Sequence, residues 1–190
     1  MQPDSFDAEL AEQWSRWVLD HGLPTLPGQL EDAESVPVAC WVGPESAAVL
    51  HLQRWPPADL REPDDELVTQ VDVQVFERVE GSWTLAASGG SGGWPEATLT
   101  RVAVATDHAS LSGVVGGGSA ERSHLALWGE VGTAAATLEV EQDGVTTSRT
   151  VVAPVGWVVV SAALGNPFTA RVRDSAGRVL TEELGPPADW

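Results

Sequence analysis

The segment that most constrains this chain is residues 67–79. Leu67, Thr69, Val71, Val73, Val75 and Val79 share one parity, and Gln70, Asp72, Gln74 and Arg78 share the other. Side chains of a strand point alternately to its two faces, so the pattern predicts a strand with one apolar and one wet face. At helical spacing the valines would scatter around the axis, and β-branched residues resist a helix. Glu80-Gly81 predicts a tight turn, because glycine takes the positive φ that short hairpins need. Trp83, Leu85 and Ala87 then resume the alternation. Residues 67–88 therefore read as a hairpin, and Gly89-Gly90-Ser91-Gly92-Gly93 as its glycine-rich exit, closed by Trp94. A hairpin with one dry face has to be covered by something.

A helix over residues 5–20 is the expected cover. Phe6, Leu10, Trp14, Trp17 and Val18 form one stripe at three- and four-residue spacing. Asp4 or Ser5 can cap the start, Glu12 and Arg16 are an i,i+4 pair, and Gly22 ends the helix before Pro24 and Pro27. The polar side of this helix is acidic, which argues against a membrane-surface role. Strands are predicted at 36–42 and 47–55, joined by the turn Gly43-Pro44-Glu45-Ser46 and stopped by Pro56-Pro57. With the 67–88 hairpin, the first part is an amphipathic helix on a four-stranded antiparallel sheet.

Beyond the glycines, short apolar runs alternate with turn signals. Strands are predicted at 99–106, 111–115, 124–128, 135–141, 145–152, 156–162, 168–173 and 178–182. Asp143-Gly144 and Asp174-Ser175-Ala176-Gly177 are the clearest turns among them. No periodic helix follows residue 22, which argues against a parallel α/β fold. The expected fold is mainly β (α+β): a helix-covered sheet over residues 1–95 and an antiparallel β-sandwich over residues 96–190, with the possibility of one continuous core. The chain has 190 residues, enough for either arrangement.

The run Arg171 to Glu182, RVRDSAGRVLTE, places a strand, a D-x-x-G turn and R-V-L in succession. This resembles the closing hairpin of many bacterial immunoglobulin-like sandwich domains. The resemblance covers the last third of the chain. It implies an Ig-like sandwich and a spacer or binding role, and it carries no catalytic residues over.

Absences restrict the chemistry. All ten basic residues are Arg, and there is no Tyr. Schiff-base and P-loop lysine chemistry are therefore closed. One cysteine, Cys40, allows no internal disulfide and no CxxC-type zinc site. Gly89 to Gly93 fits the G-x-S-x-G pattern of a nucleophile elbow, and Asp107 and His124 follow Ser91 in the matching order. An elbow must open into a helix, whereas the residues after Trp94-Pro95 read as a strand. His21 suits a helix C-terminus, and His51 shares parity with Gln53, which predicts a water-facing ring. Asp107 and His108 are sequence neighbours and would point apart in a strand. Gly116-Gly117-Gly118-Ser119 reads as a flexible connector, with no helix after it to hold a phosphate.

Net charge is −18, and residues 1–80 alone carry 17 acids against four Arg. Such a field repels nucleic acid and anionic lipid and attracts basic proteins. The acid-rich N-terminus is unlike a secretory leader, and the longest apolar stretch, 155–164, is far short of the ~20 residues of a spanning helix. A soluble, cytoplasmic protein is expected. Nine tryptophans are present. Trp14, Trp17, Trp41, Trp83, Trp128 and Trp157 fall on expected apolar faces, whereas Trp55 and Trp94 fall at strand ends beside prolines. Aromatics at loop tips suit a binding surface, and Asp64-Asp65-Glu66 adds a carboxylate run. Trp55, Trp94, Asp64, Asp65 and Glu66 are therefore the candidate binding residues. The favoured expectation is a non-catalytic binding protein without cofactor or metal, in one version an acidic inhibitor, of the immunity-protein kind, of a basic partner. Beside it stand a small serine hydrolase using Ser91, Asp107 and His124, and a structural module with every tryptophan packed.

Overall fold

The computed structural model describes residues 8–25, 35–54, 69–94, 104–111, 113–118, 123–151, 156–163 and 167–185; within 91–94 and at a few strand ends only the backbone is described. The helix α1 runs over Ala8–His21. The Gly22 N–H closes its last turn by donating to the Val18 carbonyl at 2.7 Å. Gly22 does so at φ +88, a left-handed conformation that glycine adopts without a Cβ penalty. The expected caps Asp4 and Ser5 lie outside the described residues.

Four strands follow: β1 Ser35–Val42, β2 Ser46–Arg54, β3 Thr69–Val79 and β4 Ser82–Trp94. They form an antiparallel sheet in sequence order. Glu80 and Gly81, at φ +49 and +86, make the turn between β3 and β4. Two positive φ values in a two-residue connection match the right-handed twist of the strands they join. The glycine run is not an exit. Gly89, Gly90, Ser91 and Gly92 continue the β4 ladder against Val73, Asp72, Val71 and Gln70.

Seven further strands complete the chain: β5 Gly113–Gly118, β6 Ser123–Glu130, β7 Ala135–Gln142, β8 Val145–Thr150, β9 Trp157–Ala163, β10 Phe168–Asp174 and β11 Val179–Leu184. One sheet has the order β5-β6-β9 and another the order β11-β10-β7-β8, all antiparallel. Asp143 and Gly144 form the β7–β8 turn at φ +53 and +75. In the β10–β11 turn, the Asp174 carboxylate accepts from the backbone N–H groups of Ala176 and Arg178 at 3.0 and 2.9 Å. Gly116 to Gly118 are strand residues of β5 and not a connector, because β5 lies close against β4. A Cβ at Gly117 would overlap that of Ala87. The strand expected at 99–106 is not seen in its described part: residues 104–105 are irregular and Thr106-Asp107 is a turn.

Among the described residues the protein is mainly β with one helix, an α+β arrangement of packed antiparallel sheets. Val36, Val38, Leu50, Leu52, Val71, Val73 and Val75 of the first sheet share one apolar cluster with Leu125, Trp128, Val159, Leu138, Phe168 and Val172. Residues on both sides of position 95 thus bury each other. Burial is unbroken along β6 from His124 to Gly129 and along β9 from Trp157 to Ala162, so both faces of that ribbon are covered. The β10 strand instead alternates, with Phe168, Ala170 and Val172 inward. Arg171 on its outer face pairs with Glu141 and Glu182, and Arg173 with Glu139.

The helix does not cover the valine face of β3. It lies on the opposite face of the first sheet, where Val18 and Leu19 pack with Ala47, Val49 and Phe76. The second half of the chain covers the valines.

Candidate functional site

Placing α1 on the polar-parity face changes the meaning of that face. Ala11, Ser15, Val18 and Leu19 point inward, each 8% exposed or less. On β2 the outward parity carries Ala47, Val49, His51 and Gln53, all buried beneath the helix side of the sheet. His51 is therefore not the water-facing ring that its parity with Gln53 suggested; it is fully buried. Its Nε2 lies 2.7 Å from Ser15 Oγ and its Nδ1 3.2 Å from Ser35 Oγ. Helix, β2 and the start of β1 each supply one member of this cluster.

Burial pushes the His51 pKa down to about 4. The ring is neutral near pH 7, so one nitrogen donates and the other accepts. Either assignment is satisfied by hydroxyls, which donate or accept as needed. Asp72 is the cross-strand partner of His51 in β3. Burial raises its pKa to about 6, opposed by a hydrogen bond from the Gln74 side chain.

A serine 2.7 Å from a neutral imidazole has the first two parts of an activated nucleophile. The third part is missing, since the group on Nδ1 is a hydroxyl and not a carboxylate. Ser15 and His51 are both wholly buried, so no reacting atom reaches them. What the arrangement does is pin the helix to the sheet in one rotational setting.

That setting exposes the neighbouring stripe of α1. Trp14 and Trp17, expected in the core, are 37% and 45% exposed, and Leu10 is 60% exposed. The inward stripe is displaced from the expected one by about one residue, or roughly 100° of helix. Only Val18 belongs to both. Trp17 stacks on His21 with ring centroids 4.7 Å apart, and His21 Nδ1 lies 2.9 Å from the Trp17 carbonyl oxygen. These contacts stiffen the C-terminal end of the stripe. Glu9 and Asp20 are exposed along one edge of it, while Arg16 is engaged by Glu12.

Of the other tryptophans, Trp41, Trp128 and Trp157 are core residues at 2%, 8% and 7% exposure. Trp83 is half-buried on the outer face of the first sheet, with the Arg78 guanidinium 5.1 Å above its ring. Trp55 and the carboxylates Asp64, Asp65 and Glu66 lie outside the described residues. Trp94 ends β4 opposite Thr69, with its side chain likewise undescribed. Ser91 sits within the β4 ladder opposite Val71, in extended backbone and not at a sharp turn. Asp107 is exposed in a turn, whereas His124 is 1% exposed and has Glu77 Oε2 3.6 Å from its Nε2. Among the described residues no three His, Cys, Asp or Glu side chains converge as a metal site. No helix among them is long and apolar enough to cross a membrane.

No protein-family model, curated protein or solved structure matches the chain. The candidate site therefore rests on this molecule's own geometry. Ser15, Ser35 and the outer stripe of α1 were missed by reading hydrophobic spacing alone. The available signal was the small-residue spacing Ala11 and Ser15 beside Val18, which lets a helix approach a sheet closely.

Proposed function

We propose that the protein is a non-catalytic binding protein that docks a basic partner protein onto the outer stripe of α1. One observation carries this reading: Leu10, Trp14 and Trp17 lie exposed in a row on a helix that is already fixed to the body by its other stripe. Tryptophans presented on a rigid element are the commonest energetic anchors of protein interfaces, and a preset helix loses little freedom on binding. The charge selects the occupant. With a net charge of −18 and Glu9 and Asp20 along the stripe, a second copy of the chain and an anionic bilayer are both repelled. A basic surface with an apolar groove is attracted and steered. The inhibitor version of this function, blocking a basic partner as immunity-type proteins do, is its most specific form.

The test is affinity capture from the native cell, identification of the captured protein, and reconstitution from purified components. The expected partner is basic at its contact surface. Its association slows as salt rises from about 0.05 to about 0.5 M. The double variant Trp14→Ala/Trp17→Ala weakens binding by more than about tenfold at unchanged thermal stability, as loss of interface anchors does. A partner that binds the double variant as well as the parent, or whose association ignores salt, overturns the proposal.

A further inference from the structure

The β7–β8 hairpin brings β8 to the edge of its sheet. The turn Asp143-Gly144 has two residues, and Gln142 faces Val145 across it. Hydrogen-bonded and non-bonded pairs alternate along an antiparallel ladder. At the far end the Val151 N–H donates to the Ala136 carbonyl at 2.9 Å. The odd-numbered residues of β8 therefore bond to β7, and Thr146, Ser148 and Thr150 turn their N–H and C=O groups away from it. All three residues are exposed, and on that side they bond to no described residue.

An open edge is a template for another strand, and proteins guard their edges with prolines, charges and bulges. Among the described strands, β1, β4 and β11 each lie along a register shift, β9 is buried and β5 lies against β4. β8 has no proline, no carboxylate and no register shift. Its one charge, Arg149, stands opposite the buried Leu138 on the inward side. There the guanidinium donates to the Val42 carbonyl oxygen at 3.2 and 2.8 Å. Held against β1, it leaves the outward row of β8 uncharged.

Charge restricts what fits this edge. The chain carries −18, yet residues 131–178 hold four acids and four Arg and are neutral. On the outer face, Arg171 and Arg173 neutralise Glu141 and Glu139 of β7. An acidic partner is repelled by the body as a whole, and a basic one finds no carboxylate on β8 to hold it. A neutral strand of short hydroxyls is accommodated, and β8 is itself such a strand. One antiparallel register uses all three outward residues: Ser148 opposite Ser148 of a second copy, and Thr146 opposite Thr150. Cross-strand Thr and Ser pairs are favourable, and Arg149 meets Thr147 instead of another charge. The contact is two-fold and closes on itself, so assembly stops at two copies.

We propose that β8 is a self-recognition edge, through which two copies of this chain join their four-stranded sheets into one. The contact uses no residue of the α1 stripe, and the two respond to salt in opposite directions.

The experiment is sedimentation equilibrium of the full chain at up to about 1 mM protein, in about 0.05 and about 0.5 M salt. A reversible dimer is expected at the higher salt with Kd on the order of 0.1 mM, because an edge contact falls below the ~1,200 Å² of stable complexes. Lowering the salt weakens it, since two bodies of like charge then repel with less screening. Binding of a basic partner to α1 instead strengthens. Ser148→Glu sets two carboxylates face to face and weakens the dimer more than about tenfold. Ser148→Pro removes an outward N–H and no ladder bond, and it abolishes the dimer should the first variant not fold. Mixing Ser148→Glu with Ser148→Arg chains restores a dimer, as position 148 meeting itself requires. Trp14→Ala/Trp17→Ala leaves dimerisation unchanged. The proposal is overturned by a chain that stays monomeric at every concentration and salt, or by a dimer that the folded Ser148 variants leave intact. It is equally overturned if the mixture of oppositely charged variants stays monomeric, or if the double tryptophan variant removes the dimer.

Discussion

The two faces of the first sheet are built from the same four strands and are both covered, yet they are different materials. The inner face presents Val36, Val38, Leu50, Leu52, Val71, Val73 and Val75 to the second half of the chain. The outer face presents Ala47, Val49 and Phe76 interleaved with His51, Gln53 and Gln74, and α1 covers it. Apolar contact is non-directional, so the inner face accepts any well-shaped apolar cover. Buried polar groups need named partners at fixed distances. Ser15 and Ser35 supply them for His51 and, in doing so, dictate how the helix is rolled. The polar face, not the apolar one, therefore decides which side of α1 meets solvent.

The comparison is broken most severely from the inner side. Leu50 is fully buried within the large cluster. Leu50→Ala is expected to cost about 2–5 kcal/mol through lost burial and a residual cavity, measured by denaturant unfolding. A cost below about 1 kcal/mol would mean that the two halves of the chain do not pack as one core.

The outer face is sharpened by pH. The folded-state pKa of His51 is depressed to about 4, so its contribution is present above about 6.5 and is lost as pH falls toward 4. The folded-state pKa of Asp72 is raised to about 6, so its contribution is present below about 3.8 and is lost as pH rises through 6. Between pH 7 and pH 4 the two oppose each other, each worth about 3 kcal/mol at one pKa unit per ~1.4 kcal/mol. Asp72→Asn removes one side of the balance. The variant is expected to exceed the parent by about 3 kcal/mol at pH 7 and to lose that advantage by pH 4. Parallel stability curves for the two proteins across this range would show that the half-buried Asp72 carboxyl is not desolvated beside His51.

A smaller effect tests the pin itself. Ser15→Ala leaves His51 Nε2 without its 2.7 Å partner in a site that water does not reach. The expected loss is about 1–3 kcal/mol, the cost of an orphaned buried group. Ser15→Cys, which keeps a weak donor, should recover part of it. An alanine variant as stable as the parent would remove the cluster's structural role.

Much of the strand and turn layout was legible because backbone chemistry is local. Glu80-Gly81 and Asp143-Gly144 sit where positive φ is needed, and the strands around them fall within a few residues of the alternating pattern. The glycine runs 89–93 and 116–118 misled, because glycine weakens a strand on its own account. Here β4 and β5 come so close that a side chain at Gly117 would not fit. Alternation also told which residues of β3 share a face without telling what covers each face. Parity grouped His51 with Gln53, and both proved buried, because a helix distant in sequence brings its own hydroxyl. The roll of α1 was beyond a reading of hydrophobic spacing for the same reason. Leu10, Trp14 and Trp17 make the more apolar stripe, but only Ala11 and Ser15 are small enough to bring the helix against β2.

The smallest effect decides between those two stripes. Val18 and Trp17 are adjacent in sequence and on opposite sides of the boundary: 1% exposed against 45%. By size alone, truncating the tryptophan should hurt more. By the observed roll, Val18→Ala loses about 1.5–3 kcal/mol of burial, whereas Trp17→Ala changes stability by about 0.5 kcal/mol or less, as surface substitutions do. What Trp17→Ala gives up in stacking on His21 is offset in part by the better helix propensity of alanine. Paired thermal unfolding of the two variants reads the difference directly. If Trp17→Ala proves the more damaging, the tryptophans are packed, the helix is rolled the other way, and the stripe proposed to receive a partner is already occupied.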